Sequence, residues 1–283
     1  MNNIKHQISN YLKQSANEVY DVAKDLCKNG IVSKDCTWYH SAWQYFRMMN
    51  LVSTPTWHDK FFRKELSRSL IGGKKEINIL ISGTADYSLL AYVINACGSV
   101  ECKVNIDVVD SCQTPLFACQ WYADKKSTQV NLINKNILEH ENYNHYDLIC
   151  CDAFLTRFNK SDACKVIDKW KDLLVTGGKI ATTVRVYKNK SVSDKKQERY
   201  KQKFVNKAKV KYKRYKKYIK LSQEQIVDLA KKYTNNMSSN KLGDEKEILS
   251  LFKDFDVFSK LKPTKGEYSK TTYLEISATK RAK

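Results

Sequence analysis

Polar residues and a glycine lie where four apolar stretches of the sequence end. Gly83 follows the run EINILIS, Asp110 ends KVNIDVVD, Asn136 lies at the end of QVNLINKNI, and Asp152 ends YDLICCD. A glycine between a strand and a helix lets a ligand approach free backbone N–H groups. A carboxylate at a strand tip can accept hydrogen bonds from the ribose hydroxyls of an adenosine cofactor. These residue types in this order predict a nucleotide-type cofactor site.

The segments that would position these residues alternate between apolar strands and amphipathic helices over residues 76–186. They include a strand QVNLINKNI over residues 129–137 and a strand KIATTVRV over residues 179–186, which the glycine pair at 177–178 separates from the helix before it. Repeated strand–helix units predict a doubly wound parallel sheet, whose strands share one carboxyl edge where ligands bind. Two further strand patterns, DVFSKLKP and TTYLEISATK, close the chain and predict an antiparallel pair. We therefore expect an α/β fold with a mostly parallel seven-stranded sheet and an antiparallel C-terminal strand pair.

Helical segments surround this predicted sheet in the sequence. Apolar residues such as Ile4, Ile8 and Leu12 recur at helical spacing, so residues 1–73 are expected to form an α-helical N-terminal cap. Residues 74–283 then form the α/β domain, with a Lys-rich helical insert at about residues 190–240. These boundaries predict a cap that covers the cofactor edge of the sheet.

The chain of 283 residues has a formal net charge of +20, and much of that charge is local. Residues 188–220 contain fifteen Lys or Arg and two acids. One interpretation is a basic lid for an anionic substrate or RNA, because Lys and Arg neutralise phosphates. The other is a solvated surface helix whose stripe of Val205, Ala208, Tyr212 and Tyr215 packs on the domain.

The nine cysteines are scattered, form no CxxC pair and are not accompanied by clustered histidines. This spacing predicts reduced packing cysteines and no metal centre. No apolar run reaches the length of a membrane span, and the N-terminus lacks the apolar core of a signal peptide. We therefore expect a cytoplasmic protein without membrane association.

Five short segments together resemble the class I S-adenosylmethionine (SAM)-dependent methyltransferases. They are SGTADY, the strand ending at Asp110, NKNI, CDAF and LLVTGGKI, and the likeness spans about residues 77–186. The C-terminal strand pair is also similar to that family, in which two antiparallel strands close the sheet. The resemblance implies SAM as the cofactor and methyl transfer as the reaction.

The resemblance also implies a role for individual residues. The loop after the first strand would hold the methionine part of SAM, the acid after the second strand the ribose, and the residues after the third strand the adenine. The residue at the tip of the fourth strand would border the substrate. By position these residues are Gly83, Thr84 and Ala85 for methionine, Asp110 for ribose, Asn136 and Ile137 for adenine, and Asp152 for substrate.

The N-terminal helices supply further candidates. Arg47 could pair with the carboxylate of the cofactor through a charge-assisted hydrogen bond, or form a surface salt bridge. His58 is a candidate general base, since histidine titrates near neutral pH, although a lone histidine can also be structural. Asp152 is the other candidate base or substrate ligand, and its alternative role is loop or cofactor hydrogen bonding.

The position after the fourth strand reads CDAFLTRF, without the Asn/Asp-Pro-Pro-aromatic motif of many enzymes that methylate bases on nitrogen. This favours transfer to O, N or S of a small molecule, with an anionic substrate compatible with the basic insert. The alternatives are an RNA or nucleotide methyltransferase that uses the basic insert, and a catalytically silent binding module on the same fold.

Overall fold

The computed structural model describes residues 4–28, 35–52, 54–70, 73–98, 101–187, 194–237, 240–265 and 270–282. Within these residues, one sheet has seven strands in the order β3-β2-β1-β4-β5-β7-β6. The first five strands pair in parallel, and β7 is antiparallel to both β5 and β6. The expected sheet is confirmed. The strands are β1 Glu76–Ser82, β2 Lys103–Asp110, β3 Asn131–Asn134, β4 Tyr146–Asp152, β5 Leu174–Val186, β6 Phe255–Lys265 and β7 Lys270–Lys280.

Helices precede the sheet, connect its parallel strands and form the insert between β5 and β6. Short 3-10 turns cover Pro55–His58, Ile137–Glu139, Leu155–Arg157 and Lys216–Tyr218. The described α-helices are α1 Ile4–Leu26, α2 Thr37–Met48, α3 Asp59–Leu70, α4 Ser88–Cys97, α5 Gln113–Lys125, α6 Lys160–Leu173, α7 Asp194–Tyr215, α8 Gln223–Asn236 and α9 Glu245–Ser250. Within the described residues, no helix is both long and apolar enough to cross a membrane.

Local signals in the sequence determine where several helices begin. Pro55 is the first residue of the turn before α3, and the side chain of Thr54 accepts a hydrogen bond from the backbone N–H of Thr56. The sequence SQEQ at residues 222–225 matches a capping box, and the box is present at α8, because Ser222 and Gln225 exchange side-chain and backbone hydrogen bonds. These interactions satisfy N–H groups that have no partner inside a helix.

Two strand boundaries differ from the sequence expectation. β3 ends at Asn134 and not at Ile137, because the Asn136 side chain accepts a hydrogen bond from the Leu138 N–H and turns the chain into a 3-10 helix. β5 begins at Leu174, directly after α6, although the glycine pair was expected to separate the two elements. Gly177, with φ of +74°, lies where the register between β4 and β5 shifts, so the pair belongs to a bulge.

The N-terminal helices share one hydrophobic cluster with the sheet. Ile8 of α1, Phe46 of α2 and Phe62 of α3 belong to the same buried cluster as Ile79 of β1 and Tyr122 of α5. The N-terminal helices and the sheet therefore share one continuous core. A domain boundary at residue 73 stays a prediction. The second large cluster lies on the other face of the sheet, around Trp170 of α6.

The Lys-rich insert is helical where it is described, and residues 188–193 lie outside the described residues. Val205 and Ala208 on α7 are buried, whereas Tyr212 and Tyr215 are half-buried. The Tyr212 hydroxyl donates to the Leu221 carbonyl oxygen at 2.9 Å. The apolar stripe of α7 therefore packs against the domain, as one interpretation of the sequence expected.

Candidate active site

A cavity of about 780 Å³ opens at the carboxyl ends of β1, β2 and β4. This volume lies within the range of about 300–1,000 Å³ that is usual for small-molecule sites. β1 lies between β2 and β4, so the cavity is at the point where the strand order reverses. Open α/β sheets bind ligands at such a point, because adjacent connections leave on opposite faces and open a crevice.

Gly83 forms the tight turn that the sequence predicted after β1. Its φ is +70°, a conformation that favours glycine, and its N–H donates to the Val109 carbonyl oxygen at 2.8 Å. A Cβ atom at this position would lie 2.3 Å from the ring of Phe154. The turn is therefore closed by an aromatic ring from the loop after β4, and both residues line the cavity.

Asp110 lies at the tip of β2 and lines the same cavity. Its Oδ2 accepts a hydrogen bond from the Thr84 N–H at 2.9 Å, and its Oδ1 accepts one from the Cys112 N–H at 2.8 Å. Burial raises the pKa of this carboxyl to about 6, although the two N–H donors act in the opposite direction. The carboxylate is thus held in place by the backbone, with lone pairs left over for a ligand.

The cofactor residues predicted after β3 lie elsewhere. Neither Asn136 nor Ile137 is among the residues that line the cavity. The Asn136 side chain caps the 3-10 turn through its bond to the Leu138 N–H at 3.1 Å, and Ile137 is buried in the second hydrophobic cluster. Their contacts with adenine stay predictions, whereas Gly83, Thr84, Ala85 and Asp110 are brought together.

Arg47 lies behind the cavity wall and not in it. Its Nη1 is 2.5 Å from Oδ2 of Asp86, a cavity-lining residue that the sequence analysis missed. Both side chains are almost fully buried, with 2% and 4% exposure. Trp43 Nε1 donates to the same Asp86 oxygen at 2.7 Å, while the Ser88 N–H donates to the other at 2.7 Å. Arg47 therefore neutralises the loop after β1, and its pairing with a cofactor carboxylate stays a prediction.

A signal for Asp86 was present in the sequence. Asp86 stands two residues before Ser88, the first residue of α4, where an acid commonly accepts hydrogen bonds from a helix N-terminus. That signal could not reveal its partners, because Trp43 and Arg47 lie about 40 residues earlier, at separations of 43 and 39. The burial of this pair is a result of tertiary packing.

The two catalytic candidates lie near each other at the β4 side. Asp152 lines the cavity, and its Oδ1 accepts a hydrogen bond from the Thr183 hydroxyl at 2.6 Å. Burial raises the pKa of Asp152, and the nearby His58 opposes that rise. A carboxyl whose pKa is raised in a cavity is suited to proton exchange or to ligand binding.

His58 is fully buried at the end of the 3-10 turn before α3, and it is not among the cavity-lining residues. Its Nδ1 is 2.9 Å from Oε1 of Glu275 on β7, a buried acid that the sequence analysis also missed. Within the described residues, its Nε2 has no hydrogen-bond partner. The neighbouring carboxylate favours a proton on Nδ1, which leaves a lone pair on Nε2.

Helices supply an aromatic wall opposite the strand ends. The rings of Tyr39 on α2 and Tyr233 on α8 are stacked with centroids 6.1 Å apart, and Phe204 on α7 stacks on Tyr233 at 5.4 Å. Lys201 lines the cavity beside Phe204, so the insert both packs on the domain and forms part of the cavity wall.

Charge is unevenly distributed around the cavity. Its acids follow β1, β2 and β4, while its cations come from the loop after β4, the end of β5, the insert and the segment after it. The acids are Asp86, Asp110 and Asp152, and the cations are Arg157, Arg185, Lys201 and Lys241. A cationic ligand is favoured at the β1–β2 side and an anionic one at the β5–insert side.

Comparisons with known proteins support the fold. No protein-family model matches the sequence, and a comparison with curated proteins finds no significant match. Among solved structures, the chain is similar to magnesium protoporphyrin IX methyltransferase from Synechocystis with bound SAM, at 9% identity and a TM-score of 0.50, covering 99% of this chain and 98% of that one.

Two further solved structures have the same architecture. One is 1,6-didemethyltoxoflavin-N1-methyltransferase from Burkholderia thailandensis, at 13% identity and a TM-score of 0.50, covering 80% of this chain and 81% of that one. The other is described as a possible exported protein from Bordetella parapertussis, at 11% identity and a TM-score of 0.53, covering 98% and 97%. At these identities the similarity shows the fold, which is that of the class I methyltransferases.

Proposed function

We propose that this protein is a SAM-dependent methyltransferase that acts on a small molecule. The observation that carries the proposal is the half-buried Asp110 carboxylate, which the Thr84 N–H holds at the reversal point of the sheet. The class I fold supplies the precedent, because acids at this position accept hydrogen bonds from ribose hydroxyls. Two of the structural neighbours are small-molecule methyltransferases by name.

The loop after β1 would hold the amino-acid part of the cofactor. Gly83 lets the backbone approach closely, and Thr84 and Ala85 line the cavity beside it. Asn136 and Ile137 remain the candidates for the adenine side. The buried Arg47–Asp86 pair fixes the loop from behind. The cofactor, when bound, supplies the electrophilic methyl group, and the protein contributes positioning and exclusion of water.

Asp152 is the residue that we place against the methyl acceptor, since it lines the cavity at the tip of β4. His58 stays a candidate general base, because Glu275 orients its ring and Nε2 is available to accept a proton. Since His58 lies behind the cavity wall, a substrate proton would reach it through Asp152 or a bound water. The acceptor atom is O, N or S.

The substrate that this cavity fits best is an aromatic or apolar molecule with an acidic group. The stacked rings of Tyr39, Tyr233 and Phe204 offer a flat apolar surface. Arg185, at the end of β5, and Lys201, on α7, both line the cavity and would neutralise an anionic group.

One observation favours a second candidate, an RNA or nucleotide substrate. Lys209 and Lys213 on α7 and Lys217 in the turn after it are exposed at a spacing of four residues. Cations in such a row can contact a phosphate backbone. RNA affinity that falls steeply with added salt would support this candidate, and absence of RNA binding at low salt would reject it.

The cofactor is tested by isothermal titration of the purified protein with SAM and with its demethylated product. We expect saturable binding of both ligands, and at least a 100-fold weaker affinity in Asp110→Ala, because two charge-assisted hydrogen bonds worth about 1.5–3 kcal/mol each are lost. Asp107→Asn is the matched control, since Asp107 lies on the same strand and pairs with Tyr146 outside the cavity.

Unchanged affinity in a folded Asp110→Ala variant would reject the cofactor assignment. If the protein binds SAM but methylates neither small aromatic acids nor RNA, the result would favour the catalytically silent binding module. Release of the demethylated product from SAM, measured for each acceptor class, separates these outcomes.

A further inference from the structure

Four sulfur and nitrogen atoms with metal-ligand chemistry meet at the junction of α1, α2 and α5. Cys27 follows α1, Cys36 precedes α2, His40 lies within α2, and Cys112 precedes α5. Their ligand atoms all lie within 4.8 Å of one another. The sequence analysis expected no metal centre from the chain spacing, but folding brings Cys112 to His40 across 72 residues.

Four of the six distances within this Cys3His cluster match the edges of a metal tetrahedron. Zinc bonds of about 2.3 Å to sulfur and about 2.0 Å to nitrogen would place sulfurs about 3.8 Å apart and sulfur and nitrogen about 3.5 Å apart. The Cys112 sulfur is 3.8 Å from that of Cys27 and 3.5 Å from that of Cys36. His40 Nδ1 is 3.5 Å from the Cys27 sulfur and 3.4 Å from the Cys112 sulfur.

These separations exclude disulfides, which have a sulfur–sulfur bond of about 2.05 Å. They also differ from ordinary cysteine packing. Cys119 and Cys150 are buried within the main hydrophobic cluster, and Cys151 within the second. Cys27 and Cys112 instead form a small separate cluster with Ala23, against which Cys36 packs. Three thiols and an imidazole that converge in this way form a set of metal ligands.

We propose that Cys27, Cys36, His40 and Cys112 bind one zinc ion in a closed tetrahedral site. Three thiolates and one imidazole are a ligand set of structural zinc, which has no open position for substrate. Binding would release three thiol protons to solvent, while His40 would coordinate in its neutral form through Nδ1. The Thr114 hydroxyl lies 3.1 Å from the Cys27 sulfur and can donate a hydrogen bond to that thiolate.

The position of the site indicates its role. The ion would join the end of α1 and the start of α2 to the start of α5, and so fasten the N-terminal helices to the α/β domain. Cys112 also donates its backbone N–H to Asp110 Oδ1 at 2.8 Å. A metal bond to the Cys112 sulfur would therefore fix the residue that holds the proposed ribose-binding carboxylate.

The first test is the metal content of the wild-type protein, purified with a reducing agent and without chelators, and measured by plasma mass spectrometry. We expect one zinc per chain, and a lower midpoint of thermal unfolding after removal of the ion by a strong chelator. This readout needs neither SAM nor turnover, so it is independent of the proposed function. Substoichiometric zinc, both as purified and after incubation with zinc and desalting, would overturn the proposal.

Cobalt(II) substituted into the wild-type protein reports the ligand set directly. We expect the intense visible bands of tetrahedral cobalt and a thiolate-to-cobalt charge-transfer band in the near ultraviolet. A weak octahedral spectrum without the charge-transfer band would contradict a Cys3His site. Thiol alkylation mapped by mass spectrometry should show zinc-dependent protection of Cys27, Cys36 and Cys112, and equal labelling with and without zinc would count against it.

Ligand variants locate the ion. Cys27→Ser and Cys112→Ser should each lose stoichiometric zinc, whereas Cys119→Ala, which removes a buried thiol from α5, and Cys164→Ser, on α6, should keep it. Folded Cys27→Ser and Cys112→Ser proteins that retain one tightly bound zinc would place the ion elsewhere and refute the assignment. If these variants do not fold, the cobalt spectrum and the alkylation map of the wild-type protein still test whether these four residues bind the ion.

Discussion

The cavity has two walls that are built in different ways. On the strand-end wall, backbone N–H groups hold the functional side chain, as Thr84 and Cys112 hold Asp110. The helical wall, taken together with the N-terminal helices behind it, relies instead on pairs of side chains far apart in sequence. Arg47 on α2 is paired with Asp86, and His58 before α3 contacts Glu275 across 217 residues. A main-chain N–H donor is offered by every residue except proline, whereas each side-chain pair needs a particular residue at both ends.

The two walls should therefore fail differently when a residue is replaced. Substitutions in the strand-end wall, at the Asp110 carboxylate or in the Gly83 turn, should weaken cofactor binding. Damage to the helical wall should first reduce the free energy of unfolding, because it leaves a buried charge without its partner. Four substitutions or conditions test this contrast.

The largest effect is expected for Arg47→Met. The variant leaves the buried Asp86 carboxylate without its cation, which typically costs about 3–5 kcal/mol in the free energy of unfolding. Chemical denaturation measures this change. The matched control is Arg63→Met, because Arg63 is 47% exposed in its ion pair with Asp59, and such pairs contribute about 0–1 kcal/mol.

Adding Asp86→Asn to Arg47→Met should recover part of the lost stability, since the uncompensated charge is then absent. If Arg47→Met is no more harmful than Arg63→Met, the helical wall does not depend on this ion pair.

Gly83→Ala should have the next largest effect, on both the free energy of unfolding and cofactor binding. A positive φ costs a residue with a Cβ about 1–2 kcal/mol, and contact with the Phe154 ring adds overpacking of about 1–3 kcal/mol. Gly177→Ala is a matched control, since Gly177 has φ of +74° and no atom within 4 Å of the added Cβ. We expect a larger loss of stability in Gly83→Ala, together with weaker SAM binding measured by titration.

The double variant Gly83→Ala with Phe154→Ala removes the ring and should restore part of the stability. Equal losses of stability in Gly83→Ala and Gly177→Ala would show that the contact between Phe154 and the added Cβ does not reduce stability.

SAM affinity should depend on pH through Asp110. The folded pKa of this carboxyl is about 6, so it accepts hydrogen bonds as a carboxylate above that pH and loses one acceptor below it. Affinity should thus fall about tenfold between pH 7 and pH 5, since about a tenth of the carboxyl is ionised at pH 5. Titration of Asp110→Asn, which cannot ionise, should remove this dependence. The same profile in that variant would assign the titration to another group, with Asp152 the first candidate.

The smallest effect is expected for Ser222→Ala, at the capping box of α8. Loss of the cap should reduce the free energy of unfolding by about 1 kcal/mol. Tyr233 on the same helix contributes to the helical wall, yet SAM affinity should be unchanged because Ser222 is not among the residues that line the cavity. A severalfold change in SAM affinity would mean that the two walls are energetically coupled.

Much of the fold could be predicted because its signals are local. The apolar runs of β1 and β4 are continuous, as buried parallel strands require, and the capping signals at Pro55 and Ser222 are present in the folded chain. Errors arose where tertiary contacts override the local pattern. β3 is cut short by the Asn136 side chain, and β5 starts at Leu174 because pairing with β4 continues past a bulge.

The sequence by itself determined the alternation of strands and helices along the chain and the placement of Gly83 and Asp110 at one edge of the sheet. That inference needs only strand periodicity and the fact that parallel strands end on the same side. Only the tertiary structure decided what faces those residues. It turned Arg47 toward Asp86, buried His58 against Glu275, and gathered Cys27, Cys36, His40 and Cys112 from three elements. Contacts between residues distant in sequence depend on how helices pack, and no local pattern encodes that packing.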